Sequence, residues 1–384
     1  MDLNPLIDEL GTYPFARLTD ARARLEASGV QLIDFGVGEP REQTPAFIRE
    51  ALIDAVSGEP ISAYPLAAGL AELREAIAEW AHGRFGVRLD PDLEILPTLG
   101  TKEAIFHLAQ VLIGKGSLRD VVAVTTPGYP VPLRGARFAG AQVVEIPLDP
   151  QQDWMPDLDR IAPDLWRRLA ILWVNLPNNP TGAVAPPGWF ADLAARCRRE
   201  GVLLASDEAY SEIWLEGEPP DSVLGVDDPT HVLAFHSLSK RSAMPGYRSG
   251  FVAGDPMLIA AMKQVRPSLG VTPQAFVQRA SIAAWRDEGH VGEMRDRYRA
   301  KRDILVPALR AAGLEPVGGP GGFFLWCRVD ENAETLAARL LDHGLVVAPG
   351  TFFGPSGAGH VRVALVPSLE DCEHAARLLR AFAG

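Results

Sequence analysis

Residues 201–210 read Gly-Val-Leu-Leu-Ala-Ser-Asp-Glu-Ala-Tyr, an apolar run that ends abruptly on a carboxylate. A strand with no polar face must be covered on both sides, as strands of a parallel sheet between two layers of helices are. A carboxylate at the end of such a strand is costly unless it is paired or hydrogen-bonded. Asp207 is therefore a candidate for meeting a cation or a protonated ring nitrogen, with a helix N-cap as the plain alternative.

Working outward, similar runs recur at 121–124, 142–146, 169–174, 232–235 and 249–253, with helix-period segments such as 189–199 between some of them. Strands alternating with helices predict an α/β fold, a mainly parallel sheet and right-handed crossovers. Two amphipathic helices are expected upstream, at 70–85 with Leu73, Ile77 and Trp80 on one face and at 101–113 with Ile105, Leu108, Val111 and Leu112. Ahead of them the pattern predicts a helix over 15–27, a strand over 31–35 running into Gly36-Val37-Gly38-Glu39-Pro40, and a helix over 45–55. Beyond residue 290 a long charged helix, 291–312, precedes strands at 322–329, 346–348 and 361–364 that alternate with two helices. The expected division is an N-terminal segment 1–44 shared with the small domain, a large domain 45–285 and a smaller α+β domain 286–384.

Composition sets outer limits. The chain has 384 residues, 47% hydrophobic and 22% charged, as ordinary globular proteins do. With 37 Lys and Arg against 49 Asp and Glu, its net charge of -12 argues against a broad nucleic-acid-binding face. Cys197, Cys327 and Cys372 form no close pair, which argues against a disulfide framework or a zinc site. The start MDLNPLIDEL lacks the basic, then apolar pattern of a signal peptide, and no apolar run reaches the roughly 18 residues of a membrane span. A cytoplasmic protein with no membrane or nucleic-acid partner is expected.

Ligands of parallel α/β sheets bind beyond the carboxyl ends of the strands. Besides Asp207 with Tyr210 three residues later, three such places carry chemistry. Leu99-Gly100-Thr101-Lys102 opens a helix and suits an anion, although taken alone a plain N-cap explains it better. Asn178-Asn179-Pro180-Thr181-Gly182 follows a strand and reads on its own as a turn. Ser237-Leu238-Ser239-Lys240, with Arg248 beyond it, brings a lysine out of a buried strand. Desolvation there lowers an amine's pKa and suits imine chemistry with a carbonyl, whereas a single lysine is more often solvated.

Taken together and in this order, the motifs resemble those of the fold type I, pyridoxal-phosphate-dependent class I/II aminotransferases. The resemblance runs from Gly38-Glu39-Pro40 to Arg362. The stretches Tyr13-Pro14-Phe15, Thr44-Pro45-Ala46-Phe47-Ile48, 235–242 and 281–285 look most like the N-succinyldiaminopimelate aminotransferases of lysine biosynthesis. Leu176-Pro177-Asn178 and Met244-Pro245-Gly246-Tyr247 depart from that pattern, which bears on substrate choice and not on cofactor.

The resemblance implies pyridoxal 5'-phosphate held by Lys240, which would also move the α-proton. It implies Asp207 on the ring nitrogen, Tyr210 and Asn179 on the ring's phenolic oxygen, and Tyr129 stacked on the ring. Gly100, Thr101, Lys102, Ser237, Ser239 and Arg248 would hold the phosphate. Tyr64 would reach the phosphate of a neighbouring subunit, so a homodimer with shared active sites is implied. Arg362 would grip the substrate α-carboxylate, helped by Gly38 and Asn179, and no metal is expected. The implied reaction exchanges an amino group between glutamate and a 2-oxo acid, N-succinyl-2-amino-6-oxopimelate foremost. Aspartate or aromatic aminotransferase activity, or a β-lyase on the same fold, are the alternatives. Contacts to the substrate's far end fall to Arg17, Arg41 or Lys102.

Other classes fit less well. Gly36-Val37-Gly38 is followed by Glu39-Pro40-Arg41 and lacks the third glycine of a dinucleotide fingerprint, and no Walker A sequence occurs. Gly354-Pro355-Ser356-Gly357-Ala358 lacks the last glycine of a hydrolase elbow, and HExxH is missing. The chain has no spare length for the DNA-binding domain of an aminotransferase-like regulator.

Overall fold

The computed structural model describes residues 3–10, 31–58 and 63–382. Its centre is the strand Leu169–Asn175, in which every residue is buried. It pairs in parallel with Leu203–Asp207 on one side and Val121–Thr126 on the other. Val232–Ser237 and Gln142–Asp149 continue the parallel ladder outward. Beyond Val232–Ser237 come Gly250–Gly254, antiparallel to both its neighbours, and then Ile95–Thr98, while Met155–Pro156 ends the other edge of this eight-stranded sheet. The architecture is α/β with a mainly parallel central sheet.

Alternate side chains of the central strands enter two cores, because successive residues of a strand point to opposite faces. Leu172, Val174, Leu204 and Ala234 pack with Leu73 and Ile77 of the helix Ala71–Phe85 and with Phe190 and Leu193 of Trp189–Glu200. Ile171, Trp173, Leu203 and Phe235 pack on the other side with Leu108 of Thr101–Leu112 and Ile259 of Pro256–Leu269. Each such aliphatic side chain contributes roughly 1.5–3 kcal/mol on burial. The register sets Asn175 opposite Asp207 and Asp207 opposite Phe235, so neighbouring strands finish at one edge.

A second sheet of four antiparallel strands runs in the order Glu315–Pro316, Phe324–Arg328, His360–Ala364, Ala348–Pro349. Its core joins Leu325, Cys327, Val361 and Val363 to Leu305 and Leu309 of the helix Gly289–Ala311 and to Leu379 of Leu369–Phe382. Ile33–Asp34 pairs in parallel with Leu345–Val346, tying the N-terminal segment to this C-terminal half.

Between the two sheets runs Gly318-Gly319-Pro320-Gly321-Gly322. Gly319 and Gly321 donate to the carbonyls of Thr181 and Gly182, each at 2.8 Å, while Leu215 donates to Pro320 and Gly322 to Ile213 at the same distance. A Cβ on Gly318 would lie 2.3 Å from the Thr181 oxygen, so only glycine lets these backbones meet.

Some elements differ from the sequence expectation. The strand Ile95–Thr98 was not expected because it contains Pro97; it is tolerated at a sheet edge, where the missing N–H costs least. The expected strand 346–348 is two short strands with different partners. The expected helix over 15–27, the motif at Tyr13 and the candidate Arg17 lie outside the described residues. Among the described residues no helix is long and apolar enough to cross a membrane.

Candidate active site

A cavity of about 490 Å³ opens where the parallel strands end and the small sheet faces them. Asp207, the last residue of its strand, is buried there, and its Oδ1 accepts the Ala209 N–H at 3.3 Å. Burial pushes its carboxyl up to about 7, against the opposing pull of that N–H and of His236. On the neighbouring strand end, Asn175 Nδ2 donates to the Asp207 carbonyl at 2.8 Å. Its Oδ1 accepts the Asn179 N–H at 2.8 Å and so places the Asn179 side chain.

The next strand ends at Ser237, whose Oγ accepts the Ser239 N–H at 3.1 Å and starts the short helix Leu238–Arg241. Lys240 rides on that helix and its Nζ donates to the Gly38 carbonyl at 2.5 Å. Burial foremost, and the Arg362 cation next, bring its amine down to about 7, with Glu39 opposing.

At the start of Thr101–Leu112, Gly100 has φ 67°. A Cβ there would stand 2.5 Å from Arg248 Nη2, so the glycine lets the guanidinium sit against the helix N-terminus. Arg248 donates from Nη2 to the Leu99 carbonyl at 3.0 Å and from Nη1 to Ser239 Oγ at 3.4 Å. Thr101, Ser237 and Ser239 face the same space, which makes a site for an anion. Lys102 lines the cavity too, its Nζ 5.9 Å from the centre of the Tyr129 ring, and burial and Arg248 lower its pKa.

The opposite wall holds Arg362, on the strand His360–Ala364 and almost fully buried. Its Nη1 donates to Asn179 Oδ1 at 2.9 Å and its Nη2 to the Gly36 carbonyl at 2.6 Å. The rings of Phe324 and Phe353 flank its guanidinium carbon at 4.5 and 4.6 Å. Two acceptors and two aromatic faces fix the orientation of the fork. Tyr210 packs edge-on against Phe324 at 5.1 Å between ring centres.

Gly38, Thr101, Lys102, Tyr129, Asn179, Asp207, Tyr210, Ser237, Ser239, Lys240, Arg248 and Arg362 thus line one cavity. Gly100 lies behind Arg248 and not on the lining. Tyr64 is fully exposed and outside the cavity, and Arg41 is paired with Asp34 at 2.9 Å, also outside it. Sequence reading missed Asn175 and Phe353. The first stands at the end of an apolar run just as Asp207 does one strand away; the second carries no local signal. Among the described residues no His, Cys, Asp and Glu group could hold a metal ion.

The cavity fits pyridoxal phosphate. A buried carboxylate whose charge burial disfavours suits a protonated ring nitrogen, a dehydrated amine suits an aldehyde, and the cradle that a Cβ on Gly100 would fill suits a phosphate.

The comparisons agree. Residues 30–379 match the family model described as aminotransferase class I and II. The chain is 39% identical over 369 residues to LL-diaminopimelate aminotransferase of Nitratidesulfovibrio vulgaris (strain DP4), covering 94% of each. The crystal structure of an aminotransferase from Neisseria meningitidis Z2491 superposes with a TM-score of 0.90 at 33% identity over 100% of both chains. A probable N-succinyldiaminopimelate aminotransferase from Thermus thermophilus gives 0.89 at 30% identity, covering 96% of this chain and 99% of that one. By sequence over nearly its whole length, the chain belongs to the class I and II aminotransferases, enzymes that work with pyridoxal phosphate.

Proposed function

We propose that the enzyme moves an amino group between LL-diaminopimelate and the glutamate/2-oxoglutarate couple in lysine biosynthesis. The observation that carries this reading is a lysine amine and a clamped arginine lining one buried cavity, a base and a carboxylate anchor for an amino acid. The names of the curated relatives favour free LL-diaminopimelate. The motifs around Thr44 and Lys240, with the Thermus structure, favour the N-succinylated form as the second reading.

Bound pyridoxal phosphate supplies an aldehyde that captures an amino group and a ring that draws electrons from the neighbouring carbon. Asp207 would keep a proton on the ring nitrogen of the bound cofactor, because a cation there relieves the cost of its own burial. Asn179, whose Oδ1 is engaged by Arg362, keeps Nδ2 to donate to the phenolic oxygen beside the Tyr210 hydroxyl. Tyr129, on the cavity wall, would cover one face of the ring. The Gly100–Lys102 turn, Ser237, Ser239 and Arg248 hold the phosphate. Arg362 grips the α-carboxylate with its fork, and the Gly38 N–H adds a donor. With its amine brought down to about 7, Lys240 would take the α-proton on Nζ and hold it within reach of the site. We further propose the division at residues 45 and 285, and a homodimer in which each exposed Tyr64 completes its neighbour's phosphate site.

The test is kcat/KM of the purified holoenzyme with 2-oxoglutarate and, in turn, LL-diaminopimelate, its N-succinyl derivative, aspartate and phenylalanine, read as glutamate formed. LL-diaminopimelate is expected to lead by about tenfold or more, a factor that one well-paired distal group supplies. A lead for the succinylated compound installs the second reading. A lead for aspartate or phenylalanine, or release of ammonia and an oxo acid without an acceptor, overturns both.

A further inference from the structure

The phosphate cradle is supported by a buried ion pair that no step above uses. Glu103 lies in the first turn of Thr101–Leu112, and Arg266 reaches it from the helix Pro256–Leu269, Nη1 to Oε1 at 2.7 Å, with side-chain exposures of 3% for Arg266 and 14% for Glu103. The same Oε1 accepts the Leu99 N–H at 3.1 Å, while the Leu99 carbonyl accepts from Arg248 at 3.0 Å. Leu99, the residue that leads into Gly100, is therefore held at both its N–H and its carbonyl. Arg266 Nη2 also donates to the carbonyls of Pro97 and Val271, fixing the guanidinium beneath the cradle. His107 Nδ1 stands 3.7 Å from the other Glu103 oxygen.

The electrostatics give the pair a purpose. A carboxylate in the first turn of a helix favours an empty N-terminus but repels an anion bound there. Glu103 supplies the hydrogen bond that orients the Leu99 peptide, and its charge would oppose the phosphate if it stood alone. We propose that Arg266 is a positioning residue for cofactor binding: it cancels the Glu103 charge, so that the carboxylate can shape the cradle without repelling the phosphate. This rests on the phosphate reading of the cradle.

The test compares dissociation constants of pyridoxal phosphate and of pyridoxal, which lacks the phosphate, for the apoenzyme by absorbance titration. Arg266→Met is expected to weaken pyridoxal phosphate about tenfold, the scale of one uncompensated charge at a helix end, and to leave pyridoxal unchanged. Glu103→Gln added to Arg266→Met should restore most of the loss. Equal losses for both compounds, or no loss for either, overturn the proposal. Should Arg266→Met fail to fold, Glu103→Gln alone decides: it should bind pyridoxal phosphate at least as tightly as the wild type, and a weakening specific to the phosphate compound overturns the charge argument. Arg248→Met separates the underlying reading, since an unchanged preference for the phosphorylated compound in that variant places the phosphate elsewhere.

Discussion

The two walls of the cavity are built in different ways. On the large-sheet wall Asn175, Asp207 and Ser237 are the last residues of three adjacent parallel strands, and Lys240 follows three residues after the third. Backbone ladders set their spacing. On the small-sheet wall Gly36, Gly38, Phe324, Phe353 and Arg362 come from stretches far apart in sequence and meet through a guanidinium and two rings. One wall is fixed by register and the other by side-chain packing. A rigid wall suits a cofactor that stays, and a packed wall suits a substrate that enters and leaves in each turnover.

The sharpest way to break this comparison is to remove the chemistry of each wall in turn. Lys240→Ala should reduce turnover by about 10⁴-fold or more, since on the proposed reading it removes both the covalent anchor and the proton carrier. Loss of the cofactor's visible band and stopped-flow single turnovers check it. Arg362→Lys keeps the charge but loses the fork, and should raise KM for the amino acid about 10²-fold while leaving the cofactor bound. A larger fall in cofactor affinity than in substrate affinity would show that the walls do not divide the work in this way.

The same contrast explains what the sequence made legible. Asp207, Lys240 and the Gly100-Thr101 turn could be found because strand ends and helix starts announce themselves by abrupt changes in polarity. Asn175 obeys the same rule and was read as the end of its strand, but the Asn178–Gly182 turn after it drew the chemical reading. Phe353 could not be found: its contact with Arg362 joins residues brought together by packing, and a phenylalanine beside Phe352 reads as ordinary core. The edge strand at Ile95–Thr98 was masked by Pro97, whose tolerance depends on a position in the sheet that no local pattern states. The Gly318–Gly322 run carries no fold signal of its own, and its function as a seam appears only when the Thr181 and Gly182 carbonyls stand against it.

A titration of stability sharpens the comparison, because the large-sheet wall buries two ionisable groups with opposite shifts. Lys240 falls from 10.5 to about 7, so between those values the unfolded chain holds a proton that the folded apoenzyme lacks, and stability rises with pH. Asp207 rises from 3.8 to about 7, so between those values the folded chain holds the extra proton, and stability falls as pH rises. Lys240→Met should therefore stabilise the apoenzyme most below pH 7, and the gain should fade towards pH 10.5. Asp207→Asn should stabilise most above pH 7, and that gain should fade towards pH 3.8. Thermal melts of the apoenzyme across this range should show differences of a few degrees, at about 1 °C per kcal/mol for a chain of this length. Phe353→Leu, on the other wall, should shift the melt equally at every pH.

The smallest effect lies at the seam where the walls meet. Thr126, the end of a large-sheet strand, shares a hydrogen bond with Ser356 at 2.9 Å, and nearby the Gly128 N–H donates to the Phe353 carbonyl at 2.8 Å. The first contact joins an exposed serine to a buried threonine, whereas the second fixes the backbone that carries the Phe353 ring. Ser356→Ala removes only the first and should cost at most about 1 kcal/mol of stability. Because Phe353 stays in place, KM for the amino acid should rise at most slightly and kcat should not change, as initial rates at varied substrate would show. A fall in kcat would mean that the hydroxyl pair, and not the backbone bond, holds the substrate wall against the cofactor wall during turnover. The rigid and the packed halves would then be coupled during turnover through a side-chain pair despite the backbone bonds between them, and the contrast would fail at the point where they touch.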